Sequence, residues 1–165
     1  MLVCASAANA APVIVVLGDS LSAEYGLARG SGWVALLENR LQKEGLPGRV
    51  INASISGETS AGGWARLPSL LKQHQPALVV IELGGNDALR GLSLATTERH
   101  LSQMVTACQQ ARAKVLLIGM QVPPNYGAGY AQAFVQMFER ISRQQRTPLV
   151  PFLLKGIADA KDPSA

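Results

Sequence analysis

The chain has 165 residues, of which 48% are hydrophobic and 16% charged, so it has room for one domain with a substantial core. This composition excludes an intrinsically disordered protein, which would need low hydrophobicity and a high net charge rather than +4. The 15 basic residues are scattered among 11 acidic ones and aromatic residues make up only 5%, so we predict no nucleic-acid partner.

The first ten residues, MLVCASAANA, are uncharged and rich in small side chains, and they precede a strongly apolar segment. This pattern is typical of a signal-peptide cleavage region, and the alternative is a short extension without a targeting role. We predict a residual signal-peptide region over residues 1–10, a single domain over residues 11–165, and a periplasmic or secreted protein. Cleavage after Ala10 would leave Cys108 as the only cysteine, which excludes an internal disulfide or a zinc cluster, so no metal or cofactor is expected.

Five short apolar segments alternate with amphipathic segments along the chain. The predicted strands are Val13–Leu17, Val50–Asn52, Ala77–Leu83, Val115–Gly119 and Leu149–Phe152. This alternation is typical of βαβ units in a parallel sheet that is covered on both faces. We predict a three-layer α/β/α sandwich around a parallel five-stranded sheet of flavodoxin-like strand order, with the ligand beyond the carboxyl ends of the strands.

Apolar residues at helical spacing between the strands predict four amphipathic helices with core-facing stripes. The stripes are Trp33, Leu36, Leu37 and Leu41; Leu67, Leu70 and Leu71; Leu101, Met104, Val105 and Cys108; and Tyr130, Phe134, Phe138 and Ile141. The second of these helices is predicted to end before Pro76. No apolar segment approaches the length of a membrane span, so we predict no stable membrane insertion.

Small polar segments follow the first three predicted strands, and parallel strands bring their carboxyl ends to one edge of the sheet. The segments are Gly18-Asp19-Ser20-Leu21-Ser22, Asn52–Ser60 and Gly84-Gly85-Asn86-Asp87. A serine just beyond a strand can present its hydroxyl to a substrate as a nucleophile. The N–H groups of Ser20 and Gly57 and the side-chain amide of Asn86 are suited to bind the resulting oxyanion. Each segment alone is ordinary turn chemistry, but the three together indicate a catalytic site.

These three segments resemble the nucleophile, glycine and asparagine blocks of the SGNH or GDSL hydrolase family, in particular its small bacterial periplasmic arylesterases and lysophospholipase/thioesterase I type enzymes. The resemblance covers most of the chain. It implies Ser20 as the nucleophile, Gly57 and Asn86 as oxyanion-hole donors, and Val122 and Pro123 as substrate contacts. The implied substrates are small esters, thioesters or lysophospholipids, and we expect a monomer.

Other charged residues near these blocks have expected structural roles. Asp19 is predicted to stabilise its loop, and Glu58 is predicted to act as a turn or helix-cap acceptor. Glu82 lies inside an apolar strand and therefore needs a partner, for which Arg66 is the candidate.

A serine nucleophile needs a neighbouring base, which the family supplies from a D-x-x-H block after the fifth strand. After Phe152 this chain reads LLKGIADAKDPSA, with Asp159 and Asp162 but no histidine. His74 is predicted to lie at the opposite edge of the sheet, and His100 to be exposed at the start of a helix. Neither histidine is a credible base.

The missing base leaves several interpretations open. We favour a hydrolase truncated at its C-terminus, with a base from another chain or a pseudoenzyme that only binds acyl groups or esters as alternatives. A phosphoacceptor receiver domain would use Asp19, Asp87 and Lys155 after strands one, three and five. Receivers, however, need an acidic pair after strand one, and the neighbours of Asp19 are Gly18 and Ser20.

Overall fold

A computed structural model describes residues 11–157. The predicted signal-peptide region, Asp159 and Asp162 lie outside the described residues. The elements are β1 (Val13–Gly18), α1 (Trp33–Lys43), β2 (Arg49–Asn52), α2 (Ser60–His74), β3 (Leu78–Glu82), α3 (Gly85–Leu89), α4 (Leu94–Gln110), β4 (Lys114–Ile118), a short 3-10 helix (Pro124–Tyr126), α5 (Ala128–Gln145) and β5 (Leu149–Val150).

The five strands form one parallel sheet in the order β2-β1-β3-β4-β5, which confirms the predicted flavodoxin-like arrangement. β1 lies between β2 and β3, and its Val15 pairs with Ile51 of β2 on one side and with Val79 of β3 on the other. The strand order reverses between β1 and β3, and a crevice for ligands forms at such a switch point. Ser20 follows β1 and Asn86 follows β3, so the topology places both beside the crevice.

β5 is shorter than predicted and ends at Val150. The next residue is Pro151, which has no N–H to donate to a neighbouring strand, so the hydrogen-bond ladder stops there. The backbone turns instead, and Leu153 N donates to Gly119 O across 3.2 Å. The other four strand predictions differ from the structure by one residue, at one end for β1 and β2 and at both ends for β3 and β4.

Side chains alternate between two cores because successive strand residues point to opposite faces of the sheet. On β3, Val79 and Ile81 pack with the residues of α2, α4 and α5. Val80 points the other way and packs with Val16 and with Val34 of α1. The main core therefore lies between the sheet and three helices.

The apolar stripes of α2, α4 and α5 are confirmed, since their members are buried or half-buried in the main core. Cys108 is fully buried, and this burial raises the pKa of its thiol to about 12. The stripe of α1 was predicted wrongly at Leu36, which is 57% exposed. Val34 is the buried residue of α1 and packs against the sheet. The face of α1 that contacts the sheet is therefore rotated from the predicted one, and Leu36 lies outside it. None of the helices between residues 11 and 157 has the length and apolar character needed to cross a membrane.

Candidate active site

The segment after β1 forms a tight turn that holds Ser20 half-buried at the carboxyl edge of the sheet. The Asp19 carboxylate accepts a hydrogen bond from Leu21 N at 3.0 Å, and the Asp19 carbonyl accepts one from Ala23 N at 2.9 Å. Asp19 is buried, and desolvation raises the pKa of its carboxyl although the hydrogen bonds from Leu21 and Asn86 oppose this effect. These contacts support the predicted loop-stabilising role of Asp19.

The Glu82 carboxyl stabilises the same turn through hydrogen bonds. It is fully buried, and its Oε2 accepts hydrogen bonds from Ser22 Oγ at 2.7 Å and from Asp19 N at 3.3 Å. Burial, together with the nearby charge of Asp19, raises the pKa of Glu82 to about 8, so this carboxyl holds a proton at neutral pH. Trp33 Nε1 donates to the same Ser22 hydroxyl at 3.2 Å and ties the start of α1 to the turn.

The turn requires a glycine at position 18. A Cβ at Gly18 would lie 2.6 Å from Ser22 Oγ and 2.8 Å from Glu82 Oε2. Both distances are shorter than a van der Waals contact. The absence of a side chain therefore lets the end of β1 approach Glu82 closely.

Arg66 is not the partner of Glu82, contrary to the sequence prediction. Its Nε lies 2.7 Å from Glu58 Oε2, and it also donates to Ala53 O at 3.0 Å. The predicted cap role of Glu58 is also wrong, because Thr59 is the N-cap of α2 and its hydroxyl accepts from Gly62 N. Both errors arise because Arg66 lies on α2, next to the segment after β2 and away from the interior of β3.

Asn86 lies in the first turn of α3, where the sequence had indicated a loop. The chain leaves β3 through Gly84, whose φ of +110° is readily adopted only by glycine, and α3 begins at the next residue. The Asn86 side-chain nitrogen donates to Asp19 Oδ2 at 2.9 Å and to Glu58 O at 3.0 Å. This amide therefore connects the segments that follow β1 and β2.

Gly57 lies in the segment after β2 with a φ of +78°. Its carbonyl accepts a hydrogen bond from Arg90 Nη2 at 2.8 Å, which holds this segment against the end of α3. Within residues 11–157, the N–H groups of Ser20 and Gly57 donate to no other backbone group. Both donors therefore remain available to a ligand.

A cavity of about 280 Å³ opens beside Ser20. It brings together four of the five predicted site residues: Ser20, Asn86, Val122 and Pro123. Gly57 does not line this cavity. Sequence reasoning missed the apolar wall formed by Leu89, Met120 and Leu154, although all three follow strand ends. A second cavity of about 450 Å³ shares Gln121 and Val122 and continues along α5.

The sequence profile of the GDSL-like lipase/acylhydrolase family matches residues 16–165. The chain belongs to this family. Among curated proteins, it is 54% identical to the esterase TesA of Pseudomonas aeruginosa over 148 residues, which cover 90% of this chain and 74% of that protein. It is 44% identical to the Escherichia coli K12 thioesterase 1/protease 1/lysophospholipase L1 over 150 residues, with coverage of 91% and 71%. It is 43% identical to the arylesterase of Vibrio mimicus over 155 residues, with coverage of 93% and 78%.

Solved structures of GDSL-like hydrolases have the same fold. The crystal structure of TesA superposes with a TM-score of 0.88 at 52% identity, covering 90% of this chain and 83% of that one. The SGNH-hydrolase family esterase AlinE4 superposes with a TM-score of 0.87 at 41% identity, with coverage of 93% and 82%. These comparisons confirm the predicted family, the three-layer α/β/α fold and the class of carboxylic ester hydrolase.

This GDSL-like chain contains two histidines, and neither lines the cavity beside Ser20. His74 is the last residue of α2 and precedes β3, at the amino edge of the sheet as predicted. The prediction for His100 is wrong, since this residue lies inside α4 and is half-buried. Its Nδ1 is 3.2 Å from Ser60 Oγ.

Ser60 connects His100 to the buried carboxylate of Asp87. Asp87 Oδ2 accepts from Ser60 N at 2.8 Å, and Oδ1 accepts from Ser60 Oγ at 2.5 Å and from Thr97 Oγ1 at 3.2 Å. The carboxylate therefore joins the start of α2 to α3 and α4. Because Asp87 is only 2% exposed, a phosphodonor could not reach it, which further weakens the receiver-domain interpretation.

Proposed function

We propose that this chain hydrolyses acyl esters through a covalent acyl-enzyme on Ser20. The observation that carries this proposal is the cavity in which Ser20 and Asn86 lie together against an apolar wall. In the first step Ser20 Oγ bonds to the carbonyl carbon, its proton passes to a base, and the leaving alcohol or thiol takes a proton as its bond to carbon breaks. Water then attacks the acyl carbon and releases the acid, and the serine regains its proton.

The proposed oxyanion donors are the N–H groups of Ser20 and Gly57 and the amide of Asn86. The two backbone donors have no backbone acceptor among residues 11–157, so binding an oxyanion would cost them no existing backbone hydrogen bond. Both amide hydrogens of Asn86 already have acceptors, namely Asp19 and Glu58 O. We therefore propose that Asn86 exchanges or shares one of these bonds when negative charge develops on the substrate.

The proposed substrates are esters or thioesters with an apolar acyl group. Leu89, Met120 and Val122 provide an apolar surface for such a group next to Ser20. The names of the relatives, esterase, thioesterase, lysophospholipase and arylesterase, are consistent with this class. The adjoining cavity along α5 offers room for a longer chain beyond Val122.

The proposal requires a base beside Ser20, and no histidine between residues 11 and 157 lines its cavity. The decisive experiment compares the 165-residue chain with a version extended by a D-x-x-H tail, using p-nitrophenyl esters as substrates. We expect turnover in the extended chain, its loss in the extended Ser20→Ala variant, and little activity in the 165-residue chain. Full turnover by the extended Ser20→Ala variant would show that another residue is the nucleophile.

The alternative is a protein that binds acyl groups or esters without cleaving them. The observation that favours it is that no imidazole of residues 11–157 lines the cavity beside Ser20. Binding of a non-hydrolysable acyl phosphonamide analogue together with an inactive tail-extended chain would support this alternative. Turnover by the tail-extended chain would exclude it.

We also propose export from the cytoplasm, on the basis of the sequence of residues 1–10. N-terminal sequencing of the protein recovered from the periplasmic fraction of the expressing cells tests this. The expected mature protein begins at Ala11, and retention of the uncleaved protein in the cytoplasm would contradict the proposal.

A further inference from the structure

The exposed apolar side chains are concentrated around the site. Ten large hydrophobic side chains are exposed among residues 11–157, and seven of them lie in the segments that follow the carboxyl ends of strands. We call these seven the apolar rim: Leu21, Tyr25, Leu27, Ile55, Leu89, Leu92 and Ile157. The remaining three are Leu36, Leu46 and Val150.

Several contacts connect the rim to the Ser20 cavity. Leu21 and Leu89 line the cavity itself. Ile55 N donates to Gly18 O at 3.0 Å, and Tyr25 N donates to Ser20 O at 3.3 Å. The rim is therefore built from backbone segments that are attached to the same turn as the nucleophile.

Among residues 11–157, the exposed charged side chains of the segments at this edge are basic. Arg29, Arg90 and Lys155 are exposed, and none of them forms an ion pair within the part of the chain that the structure describes. These three cations lie in the segments that follow β1, β3 and β5. The edge thus combines apolar side chains with positive charges that have no ion-pair partner among residues 11–157.

In the part of these segments that the structure describes, the acidic residues are buried or have other partners. Asp19 and Asp87 are buried, and Glu58 is paired with Arg66. The backbone N–H groups of Gly30 and Gly32 bind the Glu24 carboxylate and lower its pKa, and Arg29 adds a smaller effect of the same sign. Because these carboxylates are buried or engaged, they offset the exposed cations only in part.

We propose that the apolar rim, together with Arg29, Arg90 and Lys155, is a docking surface for a membrane that contains anionic phospholipids. Apolar side chains enter the boundary between headgroups and acyl chains, and arginine and lysine bind the negative surface. Docking in this orientation turns the Ser20 cavity toward the lipid. Delivery of lipid esters to Ser20 rests on the proposed function, whereas binding itself does not require catalysis.

Flotation of the Ser20→Ala chain with large unilamellar vesicles tests the proposal without hydrolysis. We expect at least about tenfold stronger partitioning into phosphatidylcholine vesicles containing phosphatidylglycerol than into phosphatidylcholine alone, since each surface cation adds to binding. High salt should reduce this difference because it screens the charges. Equal partitioning into both vesicle types would overturn the proposal.

A matched pair of leucine variants tests the location of the surface. Leu27 is 56% exposed in the rim, and Leu36 is 57% exposed on α1. Leu27→Ser should weaken partitioning roughly fivefold, because a half-exposed leucine would lose its burial in lipid, whereas Leu36→Ser should leave partitioning unchanged. Equal effects of the two substitutions would contradict a specific docking surface. Circular dichroism of each variant confirms that the comparison is between folded proteins.

A second pair tests the charges. The double variant Arg29→Gln and Lys155→Gln should weaken partitioning into anionic vesicles by roughly twentyfold, and the control Lys72→Gln with Arg143→Gln, both exposed on helices, should not. Retention of the chain on immobilised polyglutamate without any vesicle binding would assign the surface to an acidic protein and overturn the lipid proposal.

Discussion

The Asn86 amide donates to the Asp19 carboxylate across 2.9 Å, and this contact joins the segment that follows β1 to α3. The same nitrogen donates to Glu58 O, so one side chain sets the spacing between the three segments around Ser20. An amide in this position can bind negative charge without carrying a charge of its own. Asn86 therefore has both a positioning role in the free protein and a proposed role in the transition state.

Replacement of Asn86 by alanine in the tail-extended chain should lower kcat by roughly 10²- to 10³-fold, the usual cost of losing one oxyanion donor. The measurement is steady-state hydrolysis of a p-nitrophenyl ester. Gln110→Ala, at an exposed position at the end of α4, serves as the control and should leave kcat unchanged. A raised KM with an unchanged kcat would remove Asn86 from the oxyanion hole.

Ser20 in the 165-residue chain should react slowly with a fluorophosphonate probe, because no imidazole of the described residues lines its cavity to take the proton. Added imidazole is expected to accelerate labelling, and the Ser20→Ala variant should show no labelling at any imidazole concentration. Without a base, the oxyanion donors alone can still accelerate a reaction roughly 10³- to 10⁴-fold over its rate in water, so slow labelling agrees with this prediction. Rapid labelling of Ser20 without imidazole would mean that another group acts as the base.

Because the pKa of Glu82 is raised in the folded protein, the free energy of unfolding should fall as the pH rises. Its folded pKa of about 8 lies above the ordinary value of 4.5, so the folded state holds a proton between these values that the unfolded state has lost. The free energy of unfolding should therefore fall across this window, by at most about 1.4 kcal/mol per pH unit from this group.

Glu82→Gln keeps a similar shape without titrating, so urea unfolding between pH 5 and pH 8 should show a flatter dependence on pH than in the parent chain. The raised pKa of Asp19 acts in the same direction, and some slope should remain. Glu44→Gln changes an exposed glutamate of the turn after α1 and should leave the slope as it is. Parallel curves for parent and Glu82→Gln would contradict the assignment.

Gly18→Ala should destabilise the fold by about 1–3 kcal/mol, because the added methyl group would overlap the Ser22 hydroxyl and the Glu82 carboxyl. Gly129→Ala provides the matched control. Nothing lies within 4 Å of a Cβ at Gly129, and this residue belongs to α5, where alanine is preferred over glycine. Urea unfolding should thus shift in opposite directions for the two variants, and equal shifts would contradict the close packing at Gly18.

Asp87→Asn should destabilise the chain by about 1–3 kcal/mol, since an amide cannot accept at both positions where the carboxylate accepts. Its two oxygens bind Ser60 N, Ser60 Oγ and Thr97 Oγ1 in the core. His100→Asn should cost less, because it removes one contact at the half-buried end of this network. A larger loss for His100→Asn, measured by thermal unfolding, would show that the histidine rather than the carboxylate organises these helices.

The parallel sheet, its strand order and the position of Ser20 and Asn86 at one edge of it were predictable from the sequence. Alternating apolar and amphipathic segments are local signals, and parallel connections leave few possible topologies, so the convergence of Ser20 and Asn86 followed from their positions after β1 and β3. The ends of elements depend on local backbone geometry, and β5 ends at Val150, before Pro151, instead of at Phe152.

The partners of individual side chains, in contrast, depended on the tertiary structure. Arg66 forms an ion pair with Glu58 rather than with Glu82. The buried Glu82 carboxyl instead accepts a hydrogen bond from the Ser22 hydroxyl. His100 lies within hydrogen-bond distance of Ser60. Leu36 is exposed to solvent because α1 packs Val34 against the sheet. Such pairings depend on how helices are rotated and spaced over the sheet. Hydrophobic periodicity specifies an apolar face only to within about one residue, whereas a hydrogen bond forms only within a few tenths of an ångström of its preferred length.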